Sequence, residues 1–438
     1  MDILDYYKMV NPQLENCFSN TDYFLANEKT LIEEYGADPA FPSVTFNRDQ
    51  LSHITGDRGF QVHMPVLGAD TVLAPMDYEL FLCRDQRQLF HNLETHRYYF
   101  QGIWPVINYI KDIFMERGMP FMLDYTAAGA HMLFYNPLHQ NSSKALASIG
   151  YLEEGLIRNC MVKDKFGPDL RRRHRTTLEA ANVFSGITRL AEYIALLTMK
   201  QFSSTMLLGK LPVTVSDSVS NCINLDNSWA EGSPTFRCIR SPFSLHKKNY
   251  EKYGYRKCPL VSVVGMVYDG EKVTGHNDMD HILGCMWDLQ KAADYAQTFT
   301  GHIPNANDAL VGFVEEYKST ELYQFHQDFD HTEDIEPGMA IKYALEVDGL
   351  SDVTRWMLNW PNPMCLQPIN LVNLIKEFVL GFNWKPKHVA NILRDVYANK
   401  DYGWVQDFDD AYPSDEKANF WTRTYAAMAY IEDGRMNF

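Results

Sequence analysis

Ser244 and His246 stand two residues apart in the run Arg240-Ser241-Pro242-Phe243-Ser244-Leu245-His246-Lys247-Lys248-Asn249. In an extended segment residues two apart face the same side, so a hydroxyl and an imidazole would meet one ligand while Leu245 turns into the core. Both groups donate hydrogen bonds, and Arg240, Lys247 and Lys248 add positive charge. That combination suits the phosphates of a nucleoside triphosphate. The same residues also fit a basic, polar strand end at the surface, so the other chemistry-bearing positions have to decide.

An acidic pair is the next such position. Asp77-Tyr78-Glu79 follows the apolar run Thr71-Val72-Leu73-Ala74-Pro75-Met76, and in a strand both carboxylates project to one face, where they repel unless a cation lies between them. Magnesium or manganese prefers oxygen ligands and also bridges phosphates. Thr126-Ala127-Ala128-Gly129-Ala130-His131 comes after another short apolar run; its glycine permits close approach of a ligand or a second strand, and His131 would begin a strand near the same edge. A separate cluster, His276-Asn277-Asp278-Met279-Asp280-His281, with His326, Asp328, Asp330 and His331 further on, contains ligand types that hold zinc, manganese or iron in phosphoester hydrolases. Its spacing follows no established ligand pattern.

Composition narrows the classes. At 438 residues the chain is long for one domain and fits two or three. Hydrophobic residues make up 46% and charged residues 22%, ordinary for a globular protein, and no apolar run approaches the roughly 18 residues a membrane span needs. With no secretory apolar region near Met1, a cytoplasmic location and no membrane partner are expected. Cys17, Cys83, Cys160, Cys222, Cys238, Cys258, Cys285 and Cys365 are scattered singly, against a zinc ribbon or a disulfide scaffold. A net charge of −16 argues against a protein that coats nucleic acid non-specifically. It leaves room for a local basic groove, and basic residues cluster at Arg171 to Arg175, Lys247-Lys248 and Arg256-Lys257.

The elements that must position these residues read as α+β. Residues 1–60 are aromatic-rich without clean periodicity, an irregular helical leader packed on the main body. Residues 61–284 form the main domain. Helical spacing of Ile103, Val106, Ile107, Ile110 and Ile113 ends at Gly118-Met119-Pro120, and strands follow at Phe121 to Tyr125 and Ala130 to Tyr135. Residues 140–210 are a helical insertion, with Leu178 to Leu208 almost free of breakers. Strand signals return at Phe236 to Ile239 and Leu260 to Tyr268, and Asp269-Gly270 before Lys272-Val273-Thr274 predicts a hairpin. Residues 285–438 are mainly helical, with Pro386 at a helix start and a break at Trp360-Pro361-Asn362-Pro363.

Taken in order, these motifs resemble the archaeo-eukaryotic primase superfamily, which includes primase-polymerases. The family's first motif, three hydrophobic residues then D-h-D or D-h-E, matches the run ending Asp77-Tyr78-Glu79; its S-G-x-G-x-H turn is matched loosely by Thr126 to His131; its R-x-P-x-S-L-H-x-K motif is matched well by Arg240 to Lys248. The third motif, a hydrophobic residue followed by Asp, has Tyr268-Asp269 as its candidate, with Asp278 or Asp280 as substitutes if Asp269 serves only the hairpin turn. The resemblance spans about residues 65–275. The turn carries Ala127 and Ala128 where the family has Ser, Gly or Arg, and the gap between first and second motifs is long.

The resemblance implies an RRM-like catalytic core packed on a second αβ unit. It implies that Asp77, Glu79 and Asp269 hold two divalent metals, Mg2+ or Mn2+, and that Ser244 and His246 bind the incoming triphosphate with Arg240, Lys247, Lys248 and His131. The reaction would be template-dependent nucleotidyl transfer, by a DNA primase or polymerase or both. Its partners would be single-stranded or primed DNA, nucleoside triphosphates and a helicase or other replication protein. The alternatives are a metal-dependent phosphohydrolase built on His276 to His281, or a replication scaffold that keeps the fold without the chemistry. Trp384, Tyr402, Trp404, Phe420 and Trp421 could stack on bases, although their spacing fits a helical core better.

Overall fold

The computed structural model describes residues 1–36, 43–68, 70–82, 89–153, 157, 177–202, 211–215, 221–227, 238–247, 260–359, 368–398 and 414–437. Lys248, Arg171 to Arg175, Arg256-Lys257, Trp360 to Pro363, Tyr402 and Trp404 lie outside the described residues. The strands are β1 (Tyr23–Ala26), β2 (Val44–Asn47), β3 (His63–Pro65), β4 (Thr71–Leu82), β5 (Phe121–Tyr125), β6 (Gly129–Pro137), β7 (Val213–Thr214), β8 (Asn221–Asp226), β9 (Cys238–Arg240), β10 (Leu245–His246), β11 (Leu260–Val261), β12 (Val263–Tyr268) and β13 (Val273–Gly275). Among the described residues they make a seven-stranded sheet ordered β13-β12-β5-β6-β4-β8-β7, a four-stranded sheet ordered β2-β1-β3-β9, and the pair β10-β11.

Within the large sheet β4, β5, β6 and β8 pair antiparallel in the spatial order β5-β6-β4-β8. Helix Leu93–Glu116 connects β4 to β5, and helix Leu178–Phe202 precedes β8. The first of these starts on an Asn92 cap that accepts from the Thr95 N–H at 2.8 Å, and it buries Phe100, Ile103, Val106, Ile107, Ile110 and Ile113. The two helices meet where the Tyr109 and Phe202 rings approach to 5.6 Å.

Strand alternation then sorts the sheet's side chains. Tyr125 stacks on Trp104 at 5.1 Å and Phe114 meets both Phe121 and Phe134, so the helix covers the face that carries Phe121, Tyr125 and Phe134. Register puts Ala130, Met132, Met76, Tyr78 and Leu225 on that apolar face too, because directly paired residues point the same way. Their sequence neighbours Asp77, Glu79, Asp124, His131 and Asp226 therefore share the opposite face. There the N-terminal region packs at one end, with Tyr135 Oη donating to the Cys17 carbonyl at 3.1 Å.

The leader departs from the expected irregular helix. Helix Ile3–Cys17 is present, but Tyr23-Phe24-Leu25-Ala26 and Val44-Thr45-Phe46-Asn47 are strands that complete the sheet holding β3 and β9. These four-residue runs are too short to carry a two-residue period and are held by long-range pairing. From Met279 onward the chain is helical among the described residues, and Pro386 opens its helix as expected. Phe420 is buried, and Trp384 and Trp421 pack against the core. No helix among the described residues is long and apolar enough to cross a membrane.

Gly129 fixes how tightly the β5-β6 hairpin passes over β4. A Cβ there would stand 1.8 Å from the Tyr78 carbonyl oxygen and 2.8 Å from the Glu79 Cα, while the turn is closed by Thr126 N–H to Gly129 O at 2.9 Å and tied down by Leu80 N–H to Ala128 O at 2.8 Å. Gly129→Ala must push backbone against backbone, and we expect it to cost about 1–3 kcal/mol of stability, read as a lower melting temperature. Gly312→Ala, in helix Asp308–Lys318 with open space around it, should instead stabilise slightly.

Candidate active site

The register of four adjacent strands lines up four ionisable side chains. Asp124 on β5 pairs with His131 on β6, His131 with Asp77 on β4, and Asp77 with Asp226 on β8. With strands about 4.8 Å apart, this is one continuous row across the sheet. Two residues along β4 the next row is Gly129, Glu79 and Asn224, so Glu79 stands one pleat repeat from Asp77 on the same face, and the glycine packs directly on the β4 backbone there. His131 lies between two carboxylates, with Nε2 3.6 Å from Asp77 Oδ1 and Nδ1 3.5 Å from Asp124 Oδ2.

Burial makes this row costly. Asp124 is fully buried and His131 nearly so, while Asp77, Glu79 and Asp226 are half-buried at the open side. Desolvation, then the neighbouring charges of Glu79 and Asp226, push the Asp77 carboxyl well above the usual carboxylate range. Asp124 is raised by burial as well, against the pull of His131 and Arg240. Both oxygens of Asp124, Nδ1 of His131 and the side-chain oxygen of Asn224 make no hydrogen bond among the described residues. Unsatisfied buried polar atoms are rare in folded proteins, and each calls for a partner, whether water, an ion or a ligand.

The four-stranded sheet supplies the opposing charge. His63 on β3 pairs with Arg240 on β9, and Arg240 lies within electrostatic reach of both Asp77 and Asp124. Its guanidinium is held by Gln61 Oε1 at 2.6 Å and the Leu245 carbonyl at 2.8 Å, and burial brings its pKa down to about 10. His63 is driven well below the ordinary histidine value, first by burial and then by Arg240 and His131.

The Ser-x-His segment is built differently from the expected strand. Ser241 to Ser244 form a turn closed by Ser244 N–H to Ser241 O at 3.0 Å, with Phe243 at a left-handed φ of 60°. That conformation is unfavourable for a large side chain. It is held by Tyr6 Oη donating to the Phe243 carbonyl at 2.7 Å and by ring contact with Phe299. Ser244 is fully buried and its Oγ accepts from the Val62 N–H at 2.9 Å. The hydroxyl thus serves the turn and does not share an open face with His246. Leu245 is buried as expected, and His246 is half-buried in β10. Lys247 is turned away: its Nζ pairs with Glu28 at 2.9 Å and sits over the Phe60 ring at 4.9 Å.

Asp269 does not join the acidic row. It follows Tyr268, which pairs with Phe121 at the far end of β5 from Asp124, about 10 Å along the strand. Its Oδ1 accepts from the N–H groups of Glu271 and Lys272 at 2.9 and 2.7 Å, the role of a turn residue. The substitutes are engaged too, Asp278 capping a helix through the His281 N–H and Asp280 bonding Arg97. The carboxylate that register brings to Asp77 is Asp226, and its signal was present: Leu225-Asp226 also reads as a hydrophobic residue followed by Asp. Asp77, Glu79 and Asp226 suit a hard cation, whose charge would relieve the repulsion they now carry. Among the described residues, no group of three or more His, Cys, Asp or Glu side chains is gathered so as to hold a metal ion.

Two members of the histidine-rich cluster in the rival hydrolase reading, His326 and Asp330, are engaged in buried bonds of the helical region. His326, buried, receives or donates with Tyr317 Oη at 2.5 Å and pairs with Glu192 at 3.0 Å, which also binds Arg423. Asp330 takes both its hydrogen bonds from Arg189 at 2.7 Å. His276 and His281 are ring neighbours at 5.6 Å, far from these groups in the chain and packed on Tyr295.

No family model matches the chain, and no curated protein does. Among solved structures it is similar to the polymerase domain of Mycobacterium tuberculosis ligase D, in complex with DNA, at 12% identity over 75% of this chain and 92% of that one, with a TM-score of 0.31. A score that low leaves fold and activity to be argued from the site itself.

The buried network yields a test of its own. Burial holds His326 down to about 4 from an ordinary 6.5, although Glu192 opposes the shift, and Glu192 lies well below its usual range because Arg423 and His326 outweigh its burial. The unfolded chain therefore binds more protons than the folded one between these values. Stability should be fully present above pH 6.5 and fall by a few kcal/mol as pH drops toward about 4. Thermal melts across that window should show the slope in the wild type and a flatter one in His326→Gln.

Proposed function

We propose that the chain is a metal-dependent nucleotidyltransferase that extends or begins a DNA strand on a template, a primase, a polymerase or both. The observation that carries this reading is the row Asp124, His131, Asp77 and Asp226, with Glu79 beside it and Arg240 opposite. Repelling carboxylates on a half-buried sheet face next to a buried cation are the donor set for divalent ions and an anionic substrate together.

An RRM-like core is part of the proposal. It is supported by the chain order β4, helix, β5, β6, helix, β8, with the short helix Asn141–Ala147 and the edge strand β7 added between β6 and β8, and by the spatial order β5-β6-β4-β8, a β-α-β-β-α-β unit with its helices on one face. The acidic row then lies on the face left to the substrate.

In this reading Asp77, Glu79 and Asp226 hold Mg2+ or Mn2+, with Asp226 in the place first given to Asp269. Metal bound there would lower the cost of charge on the attacking 3′-hydroxyl and on the leaving pyrophosphate. Arg240 offsets triphosphate charge from the opposing sheet, and its bonds to Gln61 and Leu245 keep it in place. His131 offers Nε2 at the Asp77 side of the row, and half-buried His246 extends the phosphate site. Ser244 contributes by building the turn that carries Leu245 and His246. Lys247 would have to leave Glu28 to reach a phosphate.

Primer extension and de novo synthesis on a DNA template, with mixed nucleotides and Mg2+ or Mn2+, test the reading. Asp77→Asn, Glu79→Gln and Asp226→Asn should each lower the rate by about a thousandfold, equivalent to several kcal/mol of lost charge stabilisation. Asp269→Asn should stay within about twofold of wild type, as expected for a surface turn. Absence of synthesis by the wild type, or a loss at Asp269 matching that at Asp77, contradicts it.

A further inference from the structure

Asp124 is the residue of the row that the proposed chemistry leaves unused. It is fully buried, both its oxygens lack hydrogen-bond partners among the described residues, and its β12 neighbour in register is Val264. A central sheet position flanked by Tyr125 and Leu123 suits an apolar side chain, so an uncompensated carboxylate is costly there. The titratable group facing it across the strand pair is His131, with Nδ1 3.5 Å from Oδ2 and likewise lacking a hydrogen bond. The other ring nitrogen points the opposite way, 3.6 Å from Asp77 Oδ1.

We propose that Asp124 is a positioning residue: it accepts the Nδ1–H of His131 when substrate is bound, fixes the plane and tautomer of the ring, and so presents Nε2 to the incoming nucleoside triphosphate. The geometry needs only a small closure, because the pair already stands at ion-pair distance on one sheet face. Carboxylates behind functional imidazoles act in this way, setting which nitrogen carries the proton and where the other one points. Arg240, within electrostatic reach of Asp124 from the opposing sheet, makes a carboxylate tolerable at that depth. The inference rests on the nucleotidyl-transfer reading for its substrate, but the Asp124–His131 pairing can be read without turnover.

The test compares Asp124→Asn with Asp124→Leu. Asparagine keeps a carbonyl that accepts the Nδ1–H; leucine keeps the volume and removes the acceptor. In primer extension, Asp124→Leu should raise the KM for nucleotide by about tenfold or more, while kcat stays within about threefold and Asp124→Asn recovers most of the affinity. The melting temperature of Asp124→Leu should equal or exceed that of wild type, since an apolar group replaces a buried carboxylate. An unchanged KM in Asp124→Leu, or equal impairment in both variants, overturns the proposal. Nitrogen-15 NMR of the His131 ring, in the full chain with Mg2+ and a non-hydrolysable α,β-imido deoxynucleoside triphosphate, gives a second readout that does not need Asp124→Leu to fold. A protonated Nδ1 at about pH 8 in wild type supports the pairing, and an unprotonated Nδ1 overturns it. Wild type with no synthesis but a protonated Nδ1 contradicts the nucleotidyl-transfer reading alone.

Discussion

Repulsion among Asp77, Glu79 and Asp226 is the constraint on which the rest of the site depends. Asp77 lies one strand spacing from Asp226 and one pleat repeat from Glu79 on a half-buried sheet face, and burial together with these two charges makes it costly to keep ionised. A protein can lower that cost by protonation, by a countercharge or by a bound cation. This chain places the buried Arg240 guanidinium opposite the row and leaves Asp77, Glu79 and Asp226 partly exposed on the other side.

The fold serves that arrangement from three directions. The long helices cover the apolar face of the sheet, which frees the other face for polar groups, and strand pairing sets the spacing of the row without help from loops. Gly129 lets the hairpin bearing His131 close over β4. From the N-terminal side, β1 and β2 extend the sheet that ends in Arg240, Tyr6 braces the left-handed Phe243, and Glu28 takes up Lys247. The leader is thus part of the site's second wall, with direct bonds to the Arg240 to Lys247 segment.

Much of the sheet was legible in the sequence because its signals are local. The apolar run before Asp77-Tyr78-Glu79, the helix ending at Gly118 and the strand Phe121 to Tyr125 are read from periodicity and breakers. Pairing across the chain is not local, and each correction traces to it. Asp226 and Asp269 both end apolar strands, and only register reveals that the first meets Asp77 while the second bonds its own turn. Ser244 and His246 alternate as strand residues would, but the turn at Pro242-Phe243 and the bond from Val62 bury the serine. The partnership of Lys247 with Glu28 joins segments far apart in the chain, and no motif carries it.

The central claim is that one cation site is formed by Asp77, Glu79 and Asp226. Anomalous diffraction from crystals soaked in Mn2+ with a non-hydrolysable nucleoside triphosphate tests it most directly. The account predicts a manganese peak between these three carboxylates, with the triphosphate reaching toward His131 and Arg240. Manganese ordered at Asp269 or at His276 to His281, with none beside Asp77, would contradict it.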